Sequence, residues 1–507
     1  MKFLLNALLG PRPEVRGEER RRLAYTAACA LLFLFAAHAF GWFNLSYSGE
    51  AMMIDPTKGR TAQMGGGQFL LPLYWALRGN LSAPLLVGLL SCLYLCLCTA
   101  LIVETLGVRS RCEIALIAGF LCSGASVTAI NASQLHVADA YFLALLLAVA
   151  GAALCRRAKL GFLPASLLFA ASAALEPSMV CAGATLLVLA GLFDALEGRP
   201  VGGRTGLLAL AFGLALHVAG YALLMRRYGM DWEAAIAPPL GMGDGALPGA
   251  LMRAYGYPIV RAVRQQTAHP ALCTALAAAL FALGLAALGA ALARLPAKAR
   301  FKAAVLTLLL PVAVNLPVFT AQRAGETREM FAFVFLPIGA MLLCRRATAC
   351  RAAAKRAVAA ACAALFASAV IFSNQVYLKK TLELQATLSA MTRVIDRMEH
   401  TDGYEVGVTP VAMLGSLEDS VLAVSKQGFE HLEAFDAARN RYAPVTIEDY
   451  TWYLWEVLGY PCSLVSYYQS GQLALREDVQ AMPAFPAQGC CQMIDGIMVV
   501  RLSEKMD

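Results

Sequence analysis

Apolar residues in this chain come in long blocks separated by short polar connections. The first long block covers 23–43. Others follow at 83–106, 113–130, 140–155, 160–175, 178–193, 205–224, 270–293, 303–320, 330–344 and 357–374. A bilayer's hydrocarbon layer needs roughly 20 apolar residues of helix, so the pattern predicts about eleven transmembrane helices. A further apolar piece, 69–77, is too short to cross and carries Pro72, which suits an interfacial helix. Past 375 the pattern changes. Leu384, Leu388, Met391, Ile395 and Met398 recur at helical spacing, as in an amphipathic helix leaving the membrane. Segment 404–414 alternates like a strand, 497–502 reads as a second strand, and 447–458 carries a helical signal between them. The expected architecture is therefore an all-α polytopic membrane protein, residues 1–375, followed by a small extracytoplasmic α/β domain, 376–507.

Composition supports the class. The chain is 59% hydrophobic and 15% charged, with mean hydropathy +0.61, whereas soluble domains are about a quarter charged. The net charge of +8 carries no nucleic-acid signal, because the excess of Lys and Arg lies between apolar blocks and the tail is acid-rich. With Arg16, Arg20, Arg21 and Arg22 in the cytoplasm, alternate connections should be basic, and they are. Arg109/Arg111, Arg156/Arg157/Lys159, Arg199/Arg204, Arg294/Lys298/Arg300/Lys302 and Arg345/Arg346/Arg351/Lys355/Arg356 all fall on that side. The tail then lies outside the cytoplasmic membrane. Ala37-His38-Ala39 imitates a signal-peptide cleavage site, but the apolar block is long and its charged leader extended, so an uncleaved first span is expected. Most cysteines sit in apolar blocks as small hydrophobes. A disulfide among Cys462, Cys490 and Cys491 is disfavoured, since adjacent cysteines pair with strain.

The candidate chemistry collects on the expected outer side. The loop 44–68 holds Glu50, Asp55, Lys58, Arg60 and the triplet Gly65-Gly66-Gly67. Carboxylates at the mouth of a membrane bundle are costly and call for a reason. Transfer of a sugar from a lipid phosphate needs a carboxylate base for the acceptor hydroxyl, positive charge for the leaving phosphate, and a lipid-accessible site. Glu50, set against Ala51-Met52-Met53-Ile54, is the first candidate base and Asp55 the second; a solvated loop edge is the plain alternative. His136 and Asp139 lie three apart, on one face if helical. They could be metal ligands lacking a third partner, an orienting pair that contacts substrate, or a capping Asp beside a satisfied His. Glu176-Pro177 reads as ordinary helix-start chemistry. Arg226 and Arg227, with Arg253, Arg261 and Arg264, lie on the outer face against the charge trend and suit a phosphate head group, or else pair with Asp231 or Glu233. Arg323 and Arg328 are similar. No P-loop, GxSxG, HExxH or dinucleotide glycine pattern is present.

The stretches SGEAMMID, QMGGGQFLLPLYWALRG and NASQLHVADAYFLALLLA resemble the bacterial glucosyltransferase II (Gtr-type) family. So does the tail from SNQVYLKKTLELQATLSAMTRVIDRME to PAFPAQGCCQMIDGIMVVRL. The resemblance implies a GT-C-like architecture and transfer of glucose from a polyprenyl-phosphate carrier to a cell-surface glycan. It places the first-loop acid on Glu50 and the His/Asp pair on His136 and Asp139. The chain departs from the family pattern twice. It reads Gly67-Gln68 where Gly-Arg is frequent, and it lacks a Tyr-Gln pair near Pro177-Ser178. Arg60 is the candidate replacement for the missing arginine, and Gln68 itself becomes a candidate substrate contact. The partners implied are the lipid-linked donor, the glycan acceptor and the bilayer. No cofactor is required by any motif, and a divalent cation, Mg or Mn, stays open. Two rivals remain: a flippase for lipid-linked sugar, disfavoured by an almost charge-free midplane and no internal repeat, and an inactive relative that scaffolds envelope-glycan assembly.

Overall fold

The structure, a computed structural model, describes residues 16–44, 66–80, 82–157, 161–199, 203–229, 267–316, 326–347, 352–417 and 453–506. Parts of 255–263 and 429–438, and residues 450–451, are also described. Glu50, Asp55, Arg60 and Arg323 lie outside the described residues, as do Arg253 and Arg264.

Up to residue 399 the α-helices in chain order are α1 (Arg16–Phe43), α2 (Leu71–Leu77), α3 (Pro84–Thr105), α4 (Arg111–Ser123), α5 (Ala125–Ser133), α6 (Ala138–Arg157) and α7 (Phe162–Leu175). Then come α8 (Val180–Leu196), α9 (Gly203–Arg227), α10 (Pro270–Arg294), α11 (Ala297–Val314), α12 (Phe335–Arg346) and α13 (Ala352–Glu399). Among the described residues eight helices are long and apolar enough to cross a membrane: α1, α3, α4 with α5, α6, α8, α9, α10 and α13. The other blocks are shorter or displaced. α7 has 14 residues, and α11 begins at Ala297, ahead of the apolar block it belongs to. The block 330–344 opens as a 3-10 turn, Phe331–Val334, and becomes α-helical only at Phe335. Pro337 explains that boundary: it has no N–H to give residue 333, and it is tolerated only in a helix's first turn.

The small helix α2 lies at the bundle edge as expected. Leu71, Pro72 and Trp75 face inward, while Leu73 and Leu77 are 57% and 81% exposed. Small residues let the long helices approach closely. A Cβ on Gly183 of α8 would sit 2.7 Å from the Ala148 carbonyl of α6, and one on Gly213 of α9 would sit 2.6 Å from the Ser166 carbonyl of α7. Polar braces cross the core. Trp42 donates to Asn131 (2.9 Å), and Thr128 meets Ser373 (2.7 Å). His38 is buried between the Cys122 carbonyl and the Tyr377 hydroxyl, each at 2.8 Å. A carbonyl only accepts, so His38 carries its proton on Nε2 and takes the Tyr377 hydroxyl on Nδ1.

The two ends of the bundle differ. One, the basic end, carries a rim of ion pairs: Arg22–Glu104, Arg156–Asp194 (2.7 Å), Arg199–Asp194 (3.2 Å) and Arg346–Glu197 (3.0 Å). From the other, the exit end, α13 leaves the bundle as one uninterrupted helix of 48 residues, about 72 Å at 1.5 Å per residue. Its outer part buries Leu384, Met391, Val394 and Met398, while Leu388 and Ile395 pack alongside, the stripe expected from the spacing. A four-stranded sheet docks there in the order β2 (Ser463–Leu464), β1 (Pro410–Leu414), β4 (Ile497–Arg501), β3 (Cys491–Ile494). β1 runs parallel to both its neighbours, and β3–β4 is a hairpin turned by Asp495-Gly496, both at positive φ as a tight two-residue turn requires. Within the described part of 447–458, Tyr453–Val457 form a π-helical turn; residues 447–449 and 452 lie outside the described residues. The described cysteines are free thiols.

Candidate functional site

Four short segments meet at the exit end: 66–70, which leads into α2; Leu135–Val137, which opens α6; Pro177–Met179, which opens α8; and 326–334, which precedes α12. Each is a place where a span begins or ends, so each exposes backbone groups that a continuous helix would satisfy.

Gly67 holds a left-handed φ of +85°, turning the chain so that Leu70 N–H reaches the Ala174 carbonyl at 2.9 Å. The His217 ring of α9 lies over this turn, 3.6 Å from where a Cβ on Gly67 would be, and stacks on Phe69. Gln68 next door donates to Glu176 (2.5 Å). Glu176 caps the helix start read from the sequence, accepting from the Ser178 amide (3.2 Å) and hydroxyl (2.7 Å). It is also buried, which a plain cap would not be. Tyr141 on α6 lies beside Gln68 and Glu176, and Arg328 is close enough to Glu176, Tyr141 and His136 to act on all three electrostatically. Arg328 itself pairs with Glu326 at 2.7 Å.

The second group centres on Asp139, which is fully buried. Arg78 at the end of α2 meets one carboxylate oxygen (2.5 Å) and Tyr74 donates to the other (2.7 Å). Arg78 also donates to the His136 carbonyl (2.8 Å) and to Ser82 (2.9 Å). Asp139 is thus the anchor of α2, and no hydrogen bond joins it to His136; the arrangement is not an orienting His–Asp pair. Gly79 and Asn80, both at positive φ, end α2 so that Arg78 can reach across. Three buried nitrogens here, Trp75 Nε1, Arg78 Nε and His136 Nδ1, have no hydrogen-bond partner among the described residues. A buried unpaired donor or acceptor costs about 1–3 kcal/mol, a cost that binding sites carry for their ligands.

Of the residues singled out from sequence, Gln68, His136 and Asp139 come together. Arg226 and Arg227 do not: they are exposed in the last turn of α9, where they complement the helix dipole. Arg78, Tyr74 and Tyr141 were not singled out at all. Arg78 was visible as the lone charge between two apolar blocks, but nothing in its neighbourhood pointed to Asp139. Residues 68 and 178 belong to one hydrogen-bonded group around Glu176. Among the described residues no three His, Cys, Asp or Glu side chains converge to hold a metal ion.

On the other side of segment 326–334 lies a cavity of about 140 Å³. It opens where the α4–α5 span breaks at Gly124, and its walls include Phe120, Val127, Met330 and Phe331.

No protein-family model, no curated protein and no solved structure matches the chain.

Proposed function

We propose that the chain is a membrane glycosyltransferase that moves a hexose, glucose in the first instance, from a polyprenyl-phosphate carrier to a cell-surface glycan. The reaction takes place at the exit end, on the outer face of the cytoplasmic membrane, in a GT-C-like bundle of about eleven passes once the shorter α7, α11 and α12 are counted with the eight. The observation that carries this reading is the buried polar cluster at one end of an otherwise apolar bundle, with unpartnered nitrogens on Trp75, Arg78 and His136. A sugar's hydroxyls would satisfy such groups. Glu50 or Asp55, from the loop that enters this same end through Gly66 and Gly67, would serve as base, and Gln68 and His136 would contact the sugar.

The test is transfer of label from synthetic polyprenyl-phosphoglucose to envelope glycan in membranes carrying wild type, Glu50→Gln or His136→Gln. General-base assistance is worth about 10²–10⁴-fold, so Glu50→Gln should lose that much while still folded. Equal transfer by Glu50→Gln moves the base to Asp55. No transfer by wild type from any hexose donor sinks the reading. Orientation is tested separately. Cys112, exposed at the basic end, should react with a membrane-impermeant maleimide only after cells are permeabilised.

One observation favours a second reading, a flippase for lipid-linked sugar. The α4–α5 span is interrupted at Gly124, and interrupted helices are a feature of transporters. Movement of the carrier-linked sugar across vesicles without transfer to any acceptor would select it.

A further inference from the structure

We infer that the cavity at the α4–α5 break is the seat of the lipid carrier's phosphate and first isoprenoid units, with Arg261 as the phosphate contact. This rests on the transferase reading and names the part of the molecule that would hold its donor.

The position of the cavity comes from the break. The span runs from Arg111 to Ser133, and Gly124 stands nine residues from its exit end, about 14 Å at helical rise. The cavity therefore opens inside the span, and the exit-end segment 326–334 forms its opposite wall. Gly124 is extended (φ −65°, ψ 150°), and α5 starts there without a side-chain cap. A methyl group at Gly124 would meet the Phe120 carbonyl at 3.0 Å, so the chain turns tightly and leaves space beyond the turn.

The lining has the charge and polarity of an amphiphile with one anionic end. Its walls are apolar: Phe120, Leu121, Val127, Phe331 and Phe333. Among the described residues that line it Arg261 is the single charged one and none is a carboxylate, and no described acidic side chain pairs with that guanidinium. Arg261 stacks on Tyr257 (5.2 Å), which orients the guanidinium without neutralising it. A guanidinium with no carboxylate partner among the described residues, beside an apolar cavity, is matched by a phosphate carrying a hydrocarbon chain. A free sugar would leave the walls wasted, and a neutral lipid would leave the charge unpaired.

The cavity also adjoins the polar cluster in the right sense. Thr327 lines the cavity, while Arg328, the next residue, acts on Glu176 and His136. A phosphate held at Arg261 would have its sugar on the cluster side of one strand of backbone.

The experiment is photolabelling of the full chain in lipid nanodiscs with a benzophenone-bearing farnesyl phosphate, the labelled peptides being mapped by mass spectrometry. Label should fall on 120–127 or 330–334 and be displaced by undecaprenyl phosphate. Loss of one charge-assisted contact corresponds to roughly tenfold or more, so Arg261→Gln should lower labelling by about that factor and Arg261→Lys should restore most of it. Val334→Trp, which fills the cavity and leaves the charge, should block labelling too, and keeps the test decisive if Arg261→Gln fails to fold. Labelling unchanged in both Arg261→Gln and Val334→Trp overturns the inference. Displacement by phosphatidylglycerol as effective as by undecaprenyl phosphate reduces the cavity to a general lipid seam, and displacement by inorganic phosphate reduces it to an anion site; either overturns it. Mapped, Arg261-dependent labelling without sugar transfer leaves the cavity assignment standing and removes the transferase reading. Transfer that is insensitive to both variants does the reverse.

Discussion

The two ends of the bundle use the same residue types to opposite effect. At the basic end, the outermost pairs, Arg199–Glu197 and Arg346–Glu197, keep side chains a quarter to a half exposed, although Arg156–Asp194 nearby is mostly buried. At the exit end, Arg78 and Asp139 pair with side chains 3% and 0% exposed. Water screens the first set, so each pair contributes little. It has been removed from the second, so each charge depends on its partner. The basic rim therefore marks where the chain meets an aqueous surface, whereas the exit-end cluster is an internal polar site that the fold maintains at a cost.

The sharpest way to break this comparison is to remove one member of the buried pair. Arg78→Ala or Asp139→Ala should destabilise the bundle by about 3–5 kcal/mol, because an unpaired charge is left inside. Thermal unfolding in detergent would register it, and Arg78→Met with Asp139→Leu together should recover much of the loss. If the single changes cost no more than a rim pair does, the exit end is wetter than its burial indicates. Gln68→Ala should cost less, about 1–3 kcal/mol, by leaving one oxygen of Glu176 without its donor. The basic end supplies the control: Arg199→Ala, whose side chain is half exposed, should change stability by about 1 kcal/mol or less, an effect that shrinks in high salt, as rim pairs do.

A smaller effect sharpens the contrast beyond the bundle. In the sheet unit, Arg393 and Arg397 on α13 both stack on Phe485, and Arg397 donates to the Cys490 sulfur at 3.1 Å. The hydrogen bond from the Cys491 thiol, and after it the Arg397 guanidinium, bring the Cys490 thiol down to about 6. Its unfolded value is about 8.5, so the fold favours the thiolate, and the stability this adds is complete above that value and lost as pH falls through about 6. The 240-nm thiolate absorbance lost on Cys490→Ser should titrate with a midpoint near 6. Arg397→Ala should move that midpoint up; a midpoint unmoved would mean the guanidinium has no part in it.

Much of this was legible in advance because it follows from local rules. The stripe Leu384, Met391 and Met398 announced that α13 continues past its apolar part, since one face of a helix repeats every three to four residues wherever it packs. Glu176-Pro177 announced a helix start, and Pro72 the short edge helix. The failures came where a local rule had no view of its surroundings. Glu176-Pro177 marks a helix start, but the burial of Glu176 and its bond from Gln68 depend on a residue 108 positions away. His136 and Asp139 were correctly placed on one helix face, but Arg78 claimed the carboxylate from 61 positions away. The block 113–130 was correctly read as a span, but the Ser123-Gly124 step carried no mark of a break or of the cavity behind it.

Hydrophobicity is a property each residue brings with it, so the blocks of apolar residues determine by themselves that this chain is a bundle of membrane-length helices. The alternation of charge between those blocks sets the expectation for which connections share a side, for the same reason. Periodicity similarly determines which face of α13 is covered. Pairing belongs to no single residue. Which carboxylate meets which cation, which nitrogen is left without a partner, and where a span opens into a cavity are decided only when distant segments pack together. Electrostatic and hydrogen-bond energies fall off within a few ångströms and depend on whether water has been excluded, and the linear chain specifies neither the distance nor the exclusion.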